Sequence, residues 1–280
     1  MTASLAFLGP VGTYAEAAAL ACAQWWQQEI DDHFELCPYP SIAQALQAVA
    51  DEKCDFAIVP VENSIEGSVS MTLDTLWQLD MLQVQQAWIL PISHALLSEA
   101  DDIQDIESVC SHPQALAQCQ GWLEQQLPQV KLVPTRSTTE ALHHLRETPS
   151  MGAIASRRAA EIYSLPILAH PINDHPDNCT RFWLMSQKHS YAGSHSSLAF
   201  SLPSNVPGAL LKPLQIFAER HINMSRIESR PTKRSLGEYV FFIDIERDLQ
   251  CPDVRSGLEE LKGYTETLKI FGSYSIHSAS

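Results

Sequence analysis

Cationic residues are scarce in the first half of this 280-residue chain: before Lys131 the sole Lys or Arg is Lys53. A secretory leader needs a positive n-region and a transit peptide needs arginines, so neither is expected here and a cytoplasmic location is. Across the chain 18 Lys and Arg face 33 Asp and Glu, a formal charge of −15. So acidic a surface repels phosphate backbones and anionic lipid, which argues against nucleic-acid and membrane-surface partners. The most apolar N-terminal stretch, Ala15–Trp26, contains Glu16 and Gln24 and is too short to span a bilayer. The 7 cysteines are odd in number and form no C-x-x-C pair, which leaves reduced thiols rather than a disulfide framework or zinc ribbon. His112, His143, His144, His170 and His175 lack metal-ligand spacing. No G-x-G-x-x-G, P-loop or H-E-x-x-H string occurs, so nucleotide, hydride and zinc chemistry lose their usual signals. No cofactor or metal is expected.

What is present is ordinary globular composition, 45% hydrophobic and 18% charged, in a length that suits two or three compact units. Short apolar runs alternate with capped helices. Ser4–Leu8 reads as a strand, and Thr13-Tyr-Ala-Glu16 opens an alanine-rich helix with a capping-box pattern. Strand Phe34–Tyr39, a helix capped by Ser41 through about Ala50, strand Asp55–Val59 and a helix around Met71–Leu79 follow. Val84–Leu97 is rich in β-formers and long enough to cross between two lobes. The pattern then resumes with strands at Ser108–Cys110, Lys131–Pro134 and Met151–Ala155, each leading into a helix, and Arg181–Met185 reads as a strand returning to the first lobe. This alternation predicts α/β layering with largely parallel strands and a cleft between two lobes, with polar loops at the carboxyl ends of strands. After a small-residue linker, Tyr191–Ser197, the order is strand 197–202, helix 209–221, strands 223–229 and 238–246, helix 252–261 and strand 267–274. That βαββαβ order is the ferredoxin-like split unit.

Four polar strings are placed to carry chemistry, and each has a purely structural alternative. Glu62-Asn63-Ser64 follows a strand; it puts donors and acceptors where a small ligand binds, or caps the next helix. Ser111-His-Pro-Gln114 is also a capping box, while Gln118 shares the helix face of Gln114 and points toward a cleft in the functional reading. Ser137-Thr-Thr-Glu140 carries the same ambiguity. Asn178-Cys-Thr180-Arg181-Phe182 joins a hydroxyl to a guanidinium that can grip a carboxylate bidentately. Near the C-terminus, Gly208 and Ala209 at a helix start leave backbone N–H groups open to a carboxylate, and Glu228-Ser-Arg-Pro231 ends a strand.

Taken in order, Gly9–Ala18, Val59–Gly67, Ser111–Cys119, Asn178–Phe182, Pro207–Leu210 and Ile222–Pro231 resemble the monofunctional prephenate dehydratases with a C-terminal ACT regulatory domain. The resemblance spans nearly the whole chain. It implies a two-lobed, periplasmic-binding-protein-like catalytic region over 1–190, with lobe 1 at about 1–80 and 174–190 and lobe 2 at about 81–173, and a ferredoxin-like ACT domain over 197–280. It implies loss of water and CO2 from prephenate to give phenylpyruvate, in phenylalanine biosynthesis. Catalytic positions carry over as Glu62, Asn63, Ser111, Gln118, Glu140 and Thr180, with Thr180 the expected donor to the departing hydroxyl. Arg181 is the expected carboxylate anchor, supported by helix starts at Thr13, Ser64 and Ser111. Phenylalanine is the expected effector, bound between two ACT domains by Gly208, Ala209 and Leu210 with Glu228, Ser229, Arg230 and Pro231, in a homodimer or homotetramer. The competing readings are an arogenate dehydratase and a non-catalytic amino-acid sensor.

Overall fold

A computed structural model describes residues 2–190 and 192–279. Tyr191, the first residue of the expected linker, lies outside the described residues. Lobe 1 begins with β1 (Ala3–Leu8), α1 (Tyr14–Ile30), β2 (Phe34–Tyr39), α2 (Ile42–Ala50), β3 (Phe56–Asn63), β4 (Gly67–Ser68), α3 (Ser70–Gln78) and β5 (Gln83–Pro91). Lobe 2 follows with β6 (His94–Ser98), β7 (Ser108–Ser111), α4 (Pro113–Ala117), α5 (Gln120–Gln126), β8 (Lys131–Pro134), β9 (Met151–Ser156), α6 (Arg157–Tyr163) and β10 (Ile167–Ala169). The chain returns to lobe 1 through β11 (Cys179–Ser186). The C-terminal unit is β12 (His195–Ser201), α7 (Leu211–Glu219), β13 (Met224–Pro231), β14 (Tyr239–Ile245), α8 (Pro252–Lys262) and β15 (Thr267–Ser278), the expected βαββαβ order.

Local chemistry sets several element starts. Thr13 caps α1 by accepting from the Glu16 N–H at 3.4 Å, and Ser41 caps α2 by accepting from the Gln44 N–H at 3.2 Å. Ser111 does not cap α4. His112 takes that position, its Nδ1 accepting from the Gln114 N–H at 3.3 Å, and Pro113 fills the first helical turn. The strands are less uniformly parallel than expected. In lobe 1, β1, β2 and β3 run parallel while β11 inserts antiparallel between β3 and β5. In lobe 2, β7 pairs parallel with β8 and β9, and β6 and β10 add antiparallel. Return strands that cross the hinge must reverse direction, which alternating strand and helix signals do not reveal.

Two boundaries also move. The segment expected to belong to lobe 2 from about residue 81 first supplies β5 to the lobe-1 sheet, so the crossing falls between Pro91 and His94. The last strand continues past Tyr274, and its residues Ser275–Ser278 pair parallel with Gln86–Ile89 of β5. One ten-stranded sheet, ordered β13-β14-β12-β15-β5-β11-β3-β1-β2 with β4 on β3, therefore runs through both lobe 1 and the C-terminal unit. Gly272 permits this continuation: its φ of +98° sits beside a register shift in the β12–β15 pairing, where a left-handed residue bends the strand. A shared apolar core backs the junction, with Trp183 of lobe 1 packed in one cluster with Val240, Phe242, Phe271 and Tyr274. Side chains of this size contribute roughly 1.5–3 kcal/mol each on full burial, so the C-terminal unit is docked firmly on lobe 1.

Candidate active site

Between the lobes lies a cleft of about 830 Å³, within the size range of small-molecule sites. The carboxyl ends of β3 and β11 form one wall, α1 begins at another, and α4 with the Arg136–Glu140 loop closes the far side. The antiparallel register sets Thr180 opposite Asn63 and Arg181 opposite Glu62. Successive strand residues point to opposite faces, so the Thr180–Asn63 rung faces the cleft and the Arg181–Glu62 rung faces away.

Asn63 is the hub. Its Oδ1 accepts from the backbone N–H groups of Ile65 and Glu66, both at 3.1 Å, which fixes the amide orientation. Its Nδ2 therefore donates, to Asn178 Oδ1 at 2.8 Å, the Cys179 carbonyl at 3.2 Å and Thr180 Oγ1 at 3.0 Å. Because Thr180 Oγ1 accepts that bond, its own proton is left to donate into the cleft. The orientation propagates further: Asn178 Nδ2 donates to Gln118 Oε1 at 2.9 Å. Gln118, 4% exposed, then presents its Nε2, a buried donor without a partner, among the cleft-lining groups.

His94 completes this relay. Its Nε2 lies 3.0 Å from Gln118 Oε1, so it must carry the hydrogen, and its Nδ1 lies 3.0 Å from the Tyr14 hydroxyl. Burial lowers the His94 pKa, against the Gln118 contact that favours the charged form. The neutral Nε2–H tautomer follows, with the Tyr14 hydroxyl shared between Nδ1 and the Ser93 carbonyl at 2.7 Å. Burial also pushes the Tyr14 hydroxyl far above its ordinary pKa, so it stays protonated. Sequence reading missed both residues, since a lone His on an apolar strand and a Tyr one place after a cap carry no spacing signal.

The structure sorts the expected residues sharply. Thr13, Asn63, Gln118, Glu140 and Thr180 line the cleft. Glu140 sits at its rim, where its carboxylate accepts from the Arg136 N–H at 2.6 Å and its own N–H donates to Ser137 Oγ at 3.2 Å. It is the first residue of a 3₁₀ helix, Glu140–Glu147, whose N-cap Thr139 makes no side-chain cap bond, and not the third residue of a capped helix as expected. The expectation that Ser111 faces a ligand is corrected: it is fully buried and donates to the Ile154 carbonyl at 2.6 Å, inside lobe 2. Ser64 is likewise outside the cleft lining, accepting from the Cys179 N–H at 3.0 Å. Glu62 and Arg181 pair with each other at 2.7 Å on the opposite face of the sheet, and Arg181 also binds Asp244 of the C-terminal unit at 2.8 Å. Strand alternation forces this, because Thr180 and its neighbour cannot both face the cleft. Among the described residues, Arg136 is the one Lys or Arg lining the cleft.

In the C-terminal unit, Gly208 has a φ of +79° and open space around its missing Cβ. The N–H of Ala209 is not free as expected; it donates to the Val206 carbonyl at 3.0 Å, because residues 207–210 form a turn and α7 starts only at Leu211. Glu228, Ser229, Arg230 and Pro231 lie on β13, the end strand of the large sheet, and Arg230 is paired with Asp74 of α3 at 3.0 Å.

A pair of α/β lobes with a polar relay in the cleft between them, carrying a βαββαβ unit on the same sheet, defines a two-lobed, periplasmic-binding-protein-like catalytic region with an attached ACT domain. The family model for prephenate dehydratase matches residues 5–190, and that for the ACT domain matches residues 196–262. The chain belongs to the prephenate dehydratase family. It is 38% identical over 282 residues to the prephenate dehydratase of Lactococcus lactis subsp. cremoris (strain MG1363), covering 98% of both chains. Among solved structures it is similar to a prephenate dehydratase from Arthrobacter aurescens in complex with L-Phe, with 34% identity, a TM-score of 0.87, and coverage of 97% of this chain and 90% of that one. It is also similar to GqqA, a novel type of quorum quenching acylase, at 28% identity and a TM-score of 0.82 over 98% of both chains. One scaffold can host different chemistries, so the function must be argued from the site.

Proposed function

We propose that the chain converts prephenate to phenylpyruvate, water and CO2. The observation that carries this reading is the 3.0 Å bond from Asn63 Nδ2 to Thr180 Oγ1, which leaves the Thr180 proton free for a ligand. Hydroxide is a poor leaving group, so the ring hydroxyl needs a donor as its C–O bond breaks. The ring carboxylate departs as CO2, its bonding electrons move into the ring, and aromatisation drives the step. A free Thr is too weak an acid to yield its proton outright, so Thr180 stabilises the departing oxygen or relays a proton to it. One proton is taken up per turnover, since a dianion becomes a monoanion plus CO2 and water. Gln118 Nε2 supplies a second donor, positioned by Asn178 and His94. With Arg181 turned away, carboxylate binding falls to Arg136 and to the first turn of α1, where Thr13, Tyr14 and Ala15 line the cleft at the positive end of a 17-residue helix.

The ACT domain binds phenylalanine and inhibits in this reading. Gly208, Ala209 and Leu210 of one copy meet Glu228, Ser229, Arg230 and Pro231 of another, in a dimer or tetramer formed along the open edge of β13. The L-Phe complex of the Arthrobacter aurescens relative supports the choice of effector. No helix among the described residues is long and apolar enough to cross a membrane, and a biosynthetic reaction of this kind fits the cytoplasm. The test is an assay of purified protein with prephenate and then arogenate, each with and without phenylalanine. Phenylpyruvate release that phenylalanine suppresses is expected. Turnover of arogenate alone, or binding without turnover, overturns the proposal.

A further inference from the structure

Behind the catalytic rung, on the face of the sheet away from the cleft, lies a neutral four-charge cluster built from both domains. Arg181 Nη2 reaches Glu62 Oε2 at 2.7 Å and Asp244 Oδ2 at 2.8 Å. Asp244 is fully buried and is gripped a second time by Arg226, with Nε to Oδ2 at 2.8 Å and Nη2 to Oδ1 at 3.2 Å, and by the Ser197 hydroxyl at 2.6 Å. Burial alone would raise the Asp244 pKa, but the guanidiniums of Arg226 and Arg181 outweigh it and hold the carboxyl below its ordinary value. Arg226 also lies over the Trp183 ring, 5.6 Å from its centroid, and its Nη1 reaches Ser68 Oγ at 3.4 Å.

The geometry points to Asp244 as a positioning residue for the catalytic site: from the ACT domain it holds the Arg181–Glu62 rung, and through it the aim of Thr180 and Asn63. The covalent connection is short. Glu62 and Asn63 are neighbours on β3, Thr180 and Arg181 are neighbours on β11, and the two rungs are successive in the ladder. The register shifts between Arg181 and Phe182 at a bulge opposite Pro60 and Glu62, where the regular ladder is interrupted and the strand bends. A pull on Arg181 is therefore delivered to the Thr180 hydroxyl rather than absorbed along a regular ladder.

The same anchor reaches the expected effector strand. Arg226 lies opposite Asp244 in the β13–β14 pairing, and Glu228 and Arg230 follow on the same face of β13. Arg230 grips Asp74 of α3 through Nε at 3.0 Å and Nη2 at 3.1 Å, so β13 is fastened to lobe 1 at two points. An effector held by Glu228–Pro231 thus acts on a strand that carries Arg226, which holds Asp244, which holds Arg181. This part rests on the function proposed above.

The double variant Asp244→Asn with Arg226→Gln tests the idea, because it removes one charge of each sign and leaves the Arg181–Glu62 pair balanced. Turnover is expected to fall about tenfold or more, as misplaced groups typically cause, with KM for prephenate nearly unchanged. Phenylalanine should still bind by calorimetry yet no longer inhibit. A folded double variant with unaltered kcat and unaltered inhibition overturns the proposal. Hydrogen exchange on the unmodified chain gives a second readout that does not depend on the variant folding. Phenylalanine should change protection at the amides of Glu62–Ser64 and Thr180–Phe182, and unchanged protection there with phenylalanine bound also overturns it. The unmodified chain assayed in parallel separates the two claims: no turnover there defeats the functional reading and this proposal with it, whereas turnover there with the negative results above defeats the positioning role alone.

Discussion

Asn63→Asp probes the Thr180 hydroxyl most directly, because at nearly constant shape it replaces one amide donor with an acceptor and adds a negative charge at a buried position. The carboxylate keeps the two bonds that Asn63 Oδ1 accepts from Ile65 and Glu66, and its charge strengthens them. At the other position an acceptor now faces Asn178 Oδ1, the Cys179 carbonyl and Thr180 Oγ1, at spacings of 2.8, 3.2 and 3.0 Å in the parent. Two of these oxygens cannot donate in reply. Each buried mismatch costs about 1–3 kcal/mol, the strengthened backbone bonds return roughly 1 kcal/mol, and burying the new charge adds a further cost, so a net loss of ~3 kcal/mol or more is expected. Thr180 can answer by turning its hydroxyl toward the new carboxylate, which takes the proton away from the substrate. Loss of one such donor lowers kcat about 10²–10³-fold. Activity should recover partly as pH falls, because a protonated Asp regains an O–H to donate. The assay is kcat against pH alongside denaturant unfolding. An Asn63→Asp enzyme with parent-like kcat at neutral pH would refute both the amide orientation and the direction assigned to the Thr180 proton.

Thr180→Val keeps the strand packing and removes the hydroxyl; kcat should drop about 10²–10³-fold at nearly constant KM, and parent-like kinetics would remove Thr180 from the mechanism. Arg181→Met should act on stability and kcat rather than on substrate affinity. It breaks one of two guanidinium contacts to buried Asp244 while Arg226 remains, so the cost should fall near ~3 kcal/mol, the lower end for buried pairs; a raised KM with unchanged unfolding would restore Arg181 as the carboxylate anchor. Burial holds the His94 pKa below 6.5, as it does those of His170 and His277. The unfolded chain then takes up protons first as pH falls through that value, so folded stability is lost below it and fully present above. Urea midpoints measured at about pH 7.5 and pH 5.5 should differ, and His94→Gln should shrink the difference; an equal difference in the variant would contradict the buried, neutral assignment.

Much of this molecule was legible in one dimension, for local reasons. Strand β2 at Phe34–Tyr39 and strand β8 at Lys131–Pro134 stand where apolar runs bounded by turns and caps placed them, and the caps at Thr13 and Ser41 form as their side chains require. The cleft residues Asn63, Gln118 and Thr180 were named from short motifs that sit at strand and helix ends. What escaped depends on partners distant in sequence. His94 meets Gln118 across 24 residues and Asp244 meets Arg181 across 63, and no local pattern encodes either encounter. Ser111 was indistinguishable from a cap until the Ile154 carbonyl was seen to claim its hydroxyl.

By itself the sequence determined the acidic charge and the succession of strands and helices, from composition and contacts within a few residues, while the two-lobed plan was an inference from that succession and the family rested on the resemblance of six ordered motif strings. The tertiary structure alone decided which of two adjacent residues, Thr180 or Arg181, faces the cleft. Strand alternation makes the two choices mutually exclusive, and only the packing of the ACT sheet against the far face of β11 assigns the arginine to the interior contact and leaves the hydroxyl for the cleft.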